Sequence, residues 1–559
     1  MIYRALSPWA ETEANVTMPL RPRLQELEGK TIGLFAHFKE HSPLLLREVE
    51  AQLAARFPTA RFSLLQYKEN CTEIRNDPAF DPILKEWLSG VDAVICAYGD
   101  MGSCALFLAY NAAYIEQLGK PVLMLCYKDF VTIARRGASA RQLPALRIAT
   151  TTMQDLSILP ALDAHVIETI VRPAAEGAAE AIVRGLLDPL TAEETAVQER
   201  SSTLAHAVFE GTADELRLLF YRHGWTNGAP IIPPTREAVD NMLRGTDLPP
   251  DHVVGILPHM MGKATVEKIA INAVMAGCLP IHLPVLIAAV RALGDPCLHL
   301  EGYACSRGSW APLIILNGRI RNDLDVNCGE GILSPYRLAS AAISKALGYI
   351  FLNIGGIRPG LEDMSAMGHE SRFGLCIGED EEHSPWDSLC TRFGLEDGTS
   401  AVTLFWPSTN FYCRSRESNG LLSEMCEVNT DGNFWPGCAF IICAEQANTL
   451  ARDGWSKQAV IDYLVEYARK PASTLPIRWI RGNNHAPSTV SLPVNGTHYT
   501  RKFWSDEHLL VLVGGAGSCT GFVGGGDHGG PVCRRVELPE SWEALVAEYK
   551  AVTPEYVDY

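Results

Sequence analysis

The chain has 559 residues, 47% hydrophobic and 20% charged, a composition that excludes disorder as a whole and allows roughly three or four domains. Its 48 Lys and Arg face 65 Asp and Glu, a net charge of −17. A field of that sign repels phosphate backbones and anionic lipids, so neither a nucleic acid nor a membrane partner is expected. The opening residues lack a signal-peptide pattern, and no apolar run reaches the roughly 18 residues of a membrane span; a soluble, cytoplasmic protein is expected. Sixteen cysteines without one CxxC pair read as reduced and mostly buried thiols.

Residues 1–29 read as an N-terminal extension. From residue 30 to 190 strands alternate with helices. Thr31 to Phe38 is apolar, Ser42-Pro43 opens a helix, RFSLLQY is a second strand, and DPILKEWL leads to the strand Asp92–Tyr98. A Gly-containing loop, a helix ended by Gly119 and the strand PVLMLCY follow. Strands apolar throughout and separated by helices predict a doubly wound parallel sheet covered on both faces, with ligands at the carboxyl ends of the strands. Residues 191–222 read as a connecting helix. Residues 223–559 read as a larger, Gly-rich α/β domain, with helices over ATVEKIAINAVMAGC and RLASAAISKALGYIF and strands over APLIILNG and HLLVLVGG. FLNIGG and VLVGG suggest two strands that each end in Gly-Gly.

The most informative loop is Gly99-Asp100-Met101-Gly102-Ser103-Cys104, between a strand and a helix starting at Ser103 or Cys104. A helix N-terminus favours an anion, so Cys104 is expected to be activated as a thiolate. Asp100 and Ser103 are assigned catalytic support, and the amides of Gly99 and Gly102 are assigned to the substrate. The plainer alternative is a small residue packing helix on sheet.

Within GDMGSC, Met101-Gly102-Ser103-Cys104 resembles the motif of the UGSC family, in which selenocysteine or a replacement precedes Gly-Ser-Cys at such a turn. The resemblance covers roughly residues 30–150 and implies thiol or selenol redox chemistry. Met101 stands at the reactive position here, and a thioether cannot close a disulfide with Cys104. The loop is also similar to the cysteine turns of the aspartate/glutamate racemase superfamily, where single thiols exchange protons. The C-terminal region resembles an uncharacterised segment of UGSC-type proteins.

Farther on, Gly517-Ser518-Cys519 repeats Gly-Ser-Cys before a run of glycines with Asp527 and His528, and reads as a ligand-contacting loop. Lys263, placed in the first turn of a helix opening at His259, and Arg307 are candidates for an anionic substrate group. Arg358, His369, Arg372 and His485 lie in similar loops without a spacing that selects among them. Cys278 and His282 have metal-pair spacing, interrupted by Pro280. The run Glu379-Asp380-Glu381-Glu382-His383 is either a solvated loop or a general base or cation site.

The favoured reading is a cysteine-dependent α/β enzyme acting on a small organic acid, thiol or carbonyl compound, with Cys104 as nucleophile or acid/base. The alternatives are a thiol-linked oxidoreductase, a non-catalytic binding subunit, and a metalloenzyme with a Cys/His/carboxylate site at the domain interface. For the metalloenzyme the candidate ligands are Cys104, Met101, His383 and Glu381. No cofactor is specified. The expected partner is a small anionic molecule, and a homodimer is the default assembly.

Overall fold

The computed structural model describes the chain except residues 14–15, 70, 157–158, 160, 200–201, 307–309, 366–367, 408, 414, 416, 428–436, 472–491, 495–496, 504–505, 508, 517–518, 527–529 and 551–559. The architecture is α/β. After β1 (Tyr3–Leu6) come β2 (Thr31–Ala36), α1 (His41–Arg56), β3 (Arg61–Gln66), α2 (Asp81–Ser89), β4 (Ala93–Gly99), α3 (Gly102–Gln117), β5 (Val122–Tyr127), α4 (Val131–Ala140), β6 (Arg147–Thr151) and α5 (Arg172–Leu187). The last five strands form one parallel sheet in the order β3-β2-β4-β5-β6. Counting only these strands, the order is 2-1-3-4-5, a doubly wound arrangement whose direction reverses between β2 and β4. Strands β4 and β5 are buried along their whole length, as their unbroken apolar sequences require between two helical layers. The helix α1 begins at His41, with Glu40 rather than Ser42 at its cap.

The C-terminal region is built on two four-stranded sheets. One has the order Cys376–Gly378, Leu313–Asn317, Ala401–Phe405, Val532–Arg535, and the other Thr409–Cys413, Thr520–Gly526, Gly437–Ile442, Leu509–Val513. Side-chain alternation explains their stacking. Leu313, Ile315 and Phe405 of the first sheet share one core with Ile441, Leu510 and Leu512 of the second. The opposite faces, Ile314, Leu316 and Leu404 on one sheet and Phe440, Val511 and Val513 on the other, pack on separate sets of helices. The result is a helix–sheet–sheet–helix sandwich. Helix Leu338–Asn353 runs through Phe351-Leu352, so FLNIGG is a helix end and only 509–515 has the strand-then-Gly-Gly form. A fully apolar run does not distinguish a strand from a buried helix by periodicity.

Residues 191–222 are not one helix. A capping box of Thr191 and Glu194 starts a turn that ends at Thr195, because the following TAVQERSS has no apolar stripe to bury. A strand at Val208–Gly211 and a helix at Ala213–Arg222 complete the segment, the strand pairing with β1. The N-terminal extension therefore joins the two regions: Ala5 and Ala10 belong to the C-terminal core, and Leu20 and Leu27 to the core of the parallel sheet. Among the described residues no single helix is long and apolar enough to cross a membrane. All sixteen cysteines are free thiols.

Candidate active site at the carboxyl edge of the parallel sheet

Where the strand order reverses, the loops after β2 and β4 diverge and leave polar side chains facing each other, the position at which such sheets bind ligands. The β2 loop carries His37 and Lys39 and leads to His41 at the start of α1, and the β4 loop carries Asp100 and then Cys104 on the first turn of α3. Lys39 Nζ donates to Asp100 Oδ1 at 2.8 Å and lies 3.1 Å from Asp155 Oδ1. His41 Nε2 and Asp100 Oδ2 are 2.6 Å apart. The Asp100 and His41 side chains are sealed from solvent, and Lys39 nearly so.

Electrostatics within this closed cluster follow from burial and pairing. Burial alone would raise the Asp100 carboxyl, but Lys39 and then His41 outweigh it and hold it well below the usual carboxylate range. The same desolvation opposes the Lys39 charge, and Asp100, Cys104 and Asp155 together keep its ammonium above its ordinary value. His37 is pushed down to about 3 by burial, so it is neutral at physiological pH, and neither ring nitrogen has a partner among the described residues. Ser42 Oγ is likewise buried without a described partner.

Cys104 departs from its expected state. It is 2% exposed, and burial pushes the thiol up to about 12 against the pull of Lys39. A helix terminus contributes about 0.3–1 kcal/mol, less than one pH unit, whereas full burial of a titratable group shifts it by about 3–5 units. The larger effect wins, and the resting sulfur is a neutral thiol beside a Lys–Asp–His cluster.

Gly102 is also explained by packing rather than by ligand approach. A Cβ there would lie 1.7 Å from the carbonyl oxygen of Cys305, so helix Leu300–Cys305 of the C-terminal region sits directly on the turn. A Cβ at Gly99 would lie 3.0 Å from Ala105 and from the Met124 side chain, a tight but less severe contact. Ser103 is buried and Met101 half-buried at the mouth of the turn.

The remaining sequence candidates are dispersed. Lys263 lies in a strand, Gly262–Thr265, and the apolar helix begins at Val266 with Thr265 as its cap; its Nζ is 4.0 Å from Glu11 Oε2. The carboxylates of the acidic run are paired with cations and amides of the C-terminal region. Glu379 is fully buried and accepts from Asn317 Nδ2 at 2.6 Å and Lys457 Nζ at 3.2 Å, while Arg321 clasps Glu381 and Glu382. His383, beside Asp380, is exposed. Arg358 is clamped on Glu362 and Arg372 on Asp363. Cys519 immediately precedes strand Thr520–Gly526 of the second C-terminal sheet and lies near Cys413 and Cys443. Arg307, His485, Gly517, Ser518, Asp527 and His528 lie outside the described residues.

Cys104, Met101, His383 and Glu381 do not converge as a metal site. His41, Asp100 and Asp155 instead offer ligand atoms within 4.8 Å of one another. Lys39 donates between the two carboxylates and already supplies the positive charge there. Sequence reading missed Lys39, His41 and Asp155. The available signal was HFKEH directly after the first apolar strand, the carboxyl edge at which ligands were expected.

Residues 4–188 match the UGSC family, a span that contains most of β1 and the whole parallel sheet. No curated protein matches the sequence. A solved structure described as a flavone reductase is similar at 15% identity, covering 27% of this chain and 64% of that chain, with a TM-score of 0.15. The match therefore spans less than two thirds of that relative, and so low a TM-score carries no argument about the reaction.

Proposed function

We propose that the protein is an enzyme that moves a proton to or from a small carbonyl compound or organic acid, with the Cys104 thiol as the acid/base group. The observation behind this reading is the buried cluster in which Lys39 and His41 flank Asp100 beside a neutral Cys104. A thiol that starts protonated serves first as a donor. When its proton passes to the substrate, the thiolate left behind is stabilised by the Lys39 ammonium, a fixed charge in a water-poor site. Asp100 and Asp155 hold Lys39 in place while His41 fixes Asp100, and the unused nitrogens of His37 and the Ser42 hydroxyl offer hydrogen bonds to a bound molecule. The thiol then recovers its proton from the substrate or solvent, so the cycle needs no second thiol, in keeping with Met101 two residues upstream of Ser103.

The test is proton exchange in deuterated water over a panel of small 2-oxo and hydroxy acids and their neutral carbonyl analogues, followed by NMR. The wild-type protein is expected to exchange at least one of them. Positioned acid/base groups contribute about 10²–10⁴ in rate, so Cys104→Ala should lose at least about 10² of it. Addition of a thiol reductant should change nothing. Full exchange by Cys104→Ala, or turnover that requires the reductant, would overturn the reading.

A further inference from the structure

A cavity of about 530 Å³ lies between the N-terminal extension, residues 205–207 and the hairpin that precedes helix Val266–Ala276. Its size suits a small molecule. Lys268, 8% exposed, reaches its wall from that helix. The ammonium donates to the carbonyl oxygens of Ser7 at 2.8 Å and Ala205 at 2.6 Å.

The other charged groups lining the cavity are arranged differently. Arg236 is paired with Glu267 at 2.7 Å, and Lys263 and His206 both approach Glu11. Asp251 completes the charged lining. No carboxylate among the described residues forms an ion pair with Lys268. An ammonium has three N–H donors and a neutral amine has two, with one lone pair. Two carbonyl acceptors therefore satisfy the neutral amine completely and leave its lone pair unengaged, whereas the ammonium retains a third proton without a described acceptor. The geometry accommodates the uncharged form as well as it does the charged one.

We propose that Lys268 is a carbonyl-reactive amine, and that a small aldehyde or ketone entering this cavity condenses with Nζ. One ammonium proton leaves, the lone pair attacks the carbonyl carbon, and a C–N bond forms as the C=O π bond breaks. The carbinolamine oxygen takes two protons, the one first released and one from nitrogen, and departs as water. The products are a protonated imine and water, with no oxidant or reductant. The remaining N–H of the imine still serves one of the two backbone carbonyls. Burial supports this chemistry by bringing the Lys268 amine down to about 8 against the opposing charges of Glu267 and Glu11. Roughly a tenth is then neutral at pH 7, compared with fewer than about one in a thousand for an ordinary lysine.

The experiment is reductive trapping on the intact chain with glyoxylate, and separately with acetaldehyde, in the presence of cyanoborohydride at pH 7, read by peptide mass spectrometry. Lys268 is expected to be modified at least tenfold faster than the exposed Lys68 and Lys128. Its rate should rise with pH and level off above about 8. Modification of Lys268 at less than ten times the rate of those two, or only after denaturant is added, would overturn the proposal. Preference for glyoxylate over acetaldehyde would identify an anionic carbonyl ligand, and equal rates a neutral one; both outcomes support the amine chemistry.

Discussion

Replacing Lys39 by methionine is the sharpest perturbation of the cluster. The side chain keeps its bulk and loses the ammonium that bridges Asp100 and Asp155 at 2.8 and 3.1 Å. Removing one partner of a buried ion pair costs about 3–5 kcal/mol, because the other charge is left uncompensated. In the wild-type protein Asp100 has a depressed folded pKa. Its contribution to stability is therefore fully present above the unfolded carboxylate value near 3.9 and is lost as pH falls through the folded value. In Lys39→Met only His41 is left to oppose burial, so the folded pKa of Asp100 moves up and its charged form contributes less stability. The gap between variant and wild type should widen by up to about 1.4 kcal/mol for each pH unit above about 4, until Asp100 ionises in the folded variant. Urea unfolding followed by circular dichroism at pH 5 and pH 8 measures this directly. Adding Asp100→Asn to the variant should recover part of the loss by removing the orphaned charge. A gap below about 1 kcal/mol, or the same gap at both pH values, would refute the electrostatic reasoning.

Other outcomes follow from the same structure. Gly102→Ala places a methyl group 1.7 Å from a backbone oxygen, which no rotamer change can relieve. Overpacking of this kind costs about 1–3 kcal/mol or more, so proteolysis should cut between the two regions faster than in the wild type, and unchanged resistance would contradict the packing of Cys305 on the turn. Arg321→Met removes the guanidinium that binds Glu381, Glu382 and the Glu379 carbonyl. The neighbouring carboxylates should then lower stability by about 3–5 kcal/mol at pH 7 and by less near pH 4; a thermal melt insensitive to the substitution would show the acidic run to be a solvated loop after all.

The parallel sheet was legible because its strands are apolar without interruption, and buried strands leave no other reading once helices alternate with them. The loop carrying Asp100 and Cys104 was legible for the same reason. Its partners were not. Lys39, His41 and Asp155 are ordinary loop residues in sequence, and only the reversal of strand order between β2 and β4 brings the first two against Asp100. The state of Cys104 was misjudged because helix-end stabilisation is visible in a local pattern, whereas the burial that exceeds it is set by the tertiary fold, which brings Lys39 and Asp155 from other loops beside the thiol. Lys263 was misplaced by a similar mechanism, with a short strand and the Thr265 cap intervening before the helix.

The protonation state of one sulfur tests the account most directly. Thiolate absorbance, titrated with pH and taken as the difference between the wild-type protein and Cys104→Ser, isolates Cys104 from the other fifteen thiols. The expected difference is flat through neutrality and rises only near 12. A thiolate that forms between about pH 6 and 8, the range of activated cysteines, would contradict a resting proton on Cys104 and restore the nucleophile in its place.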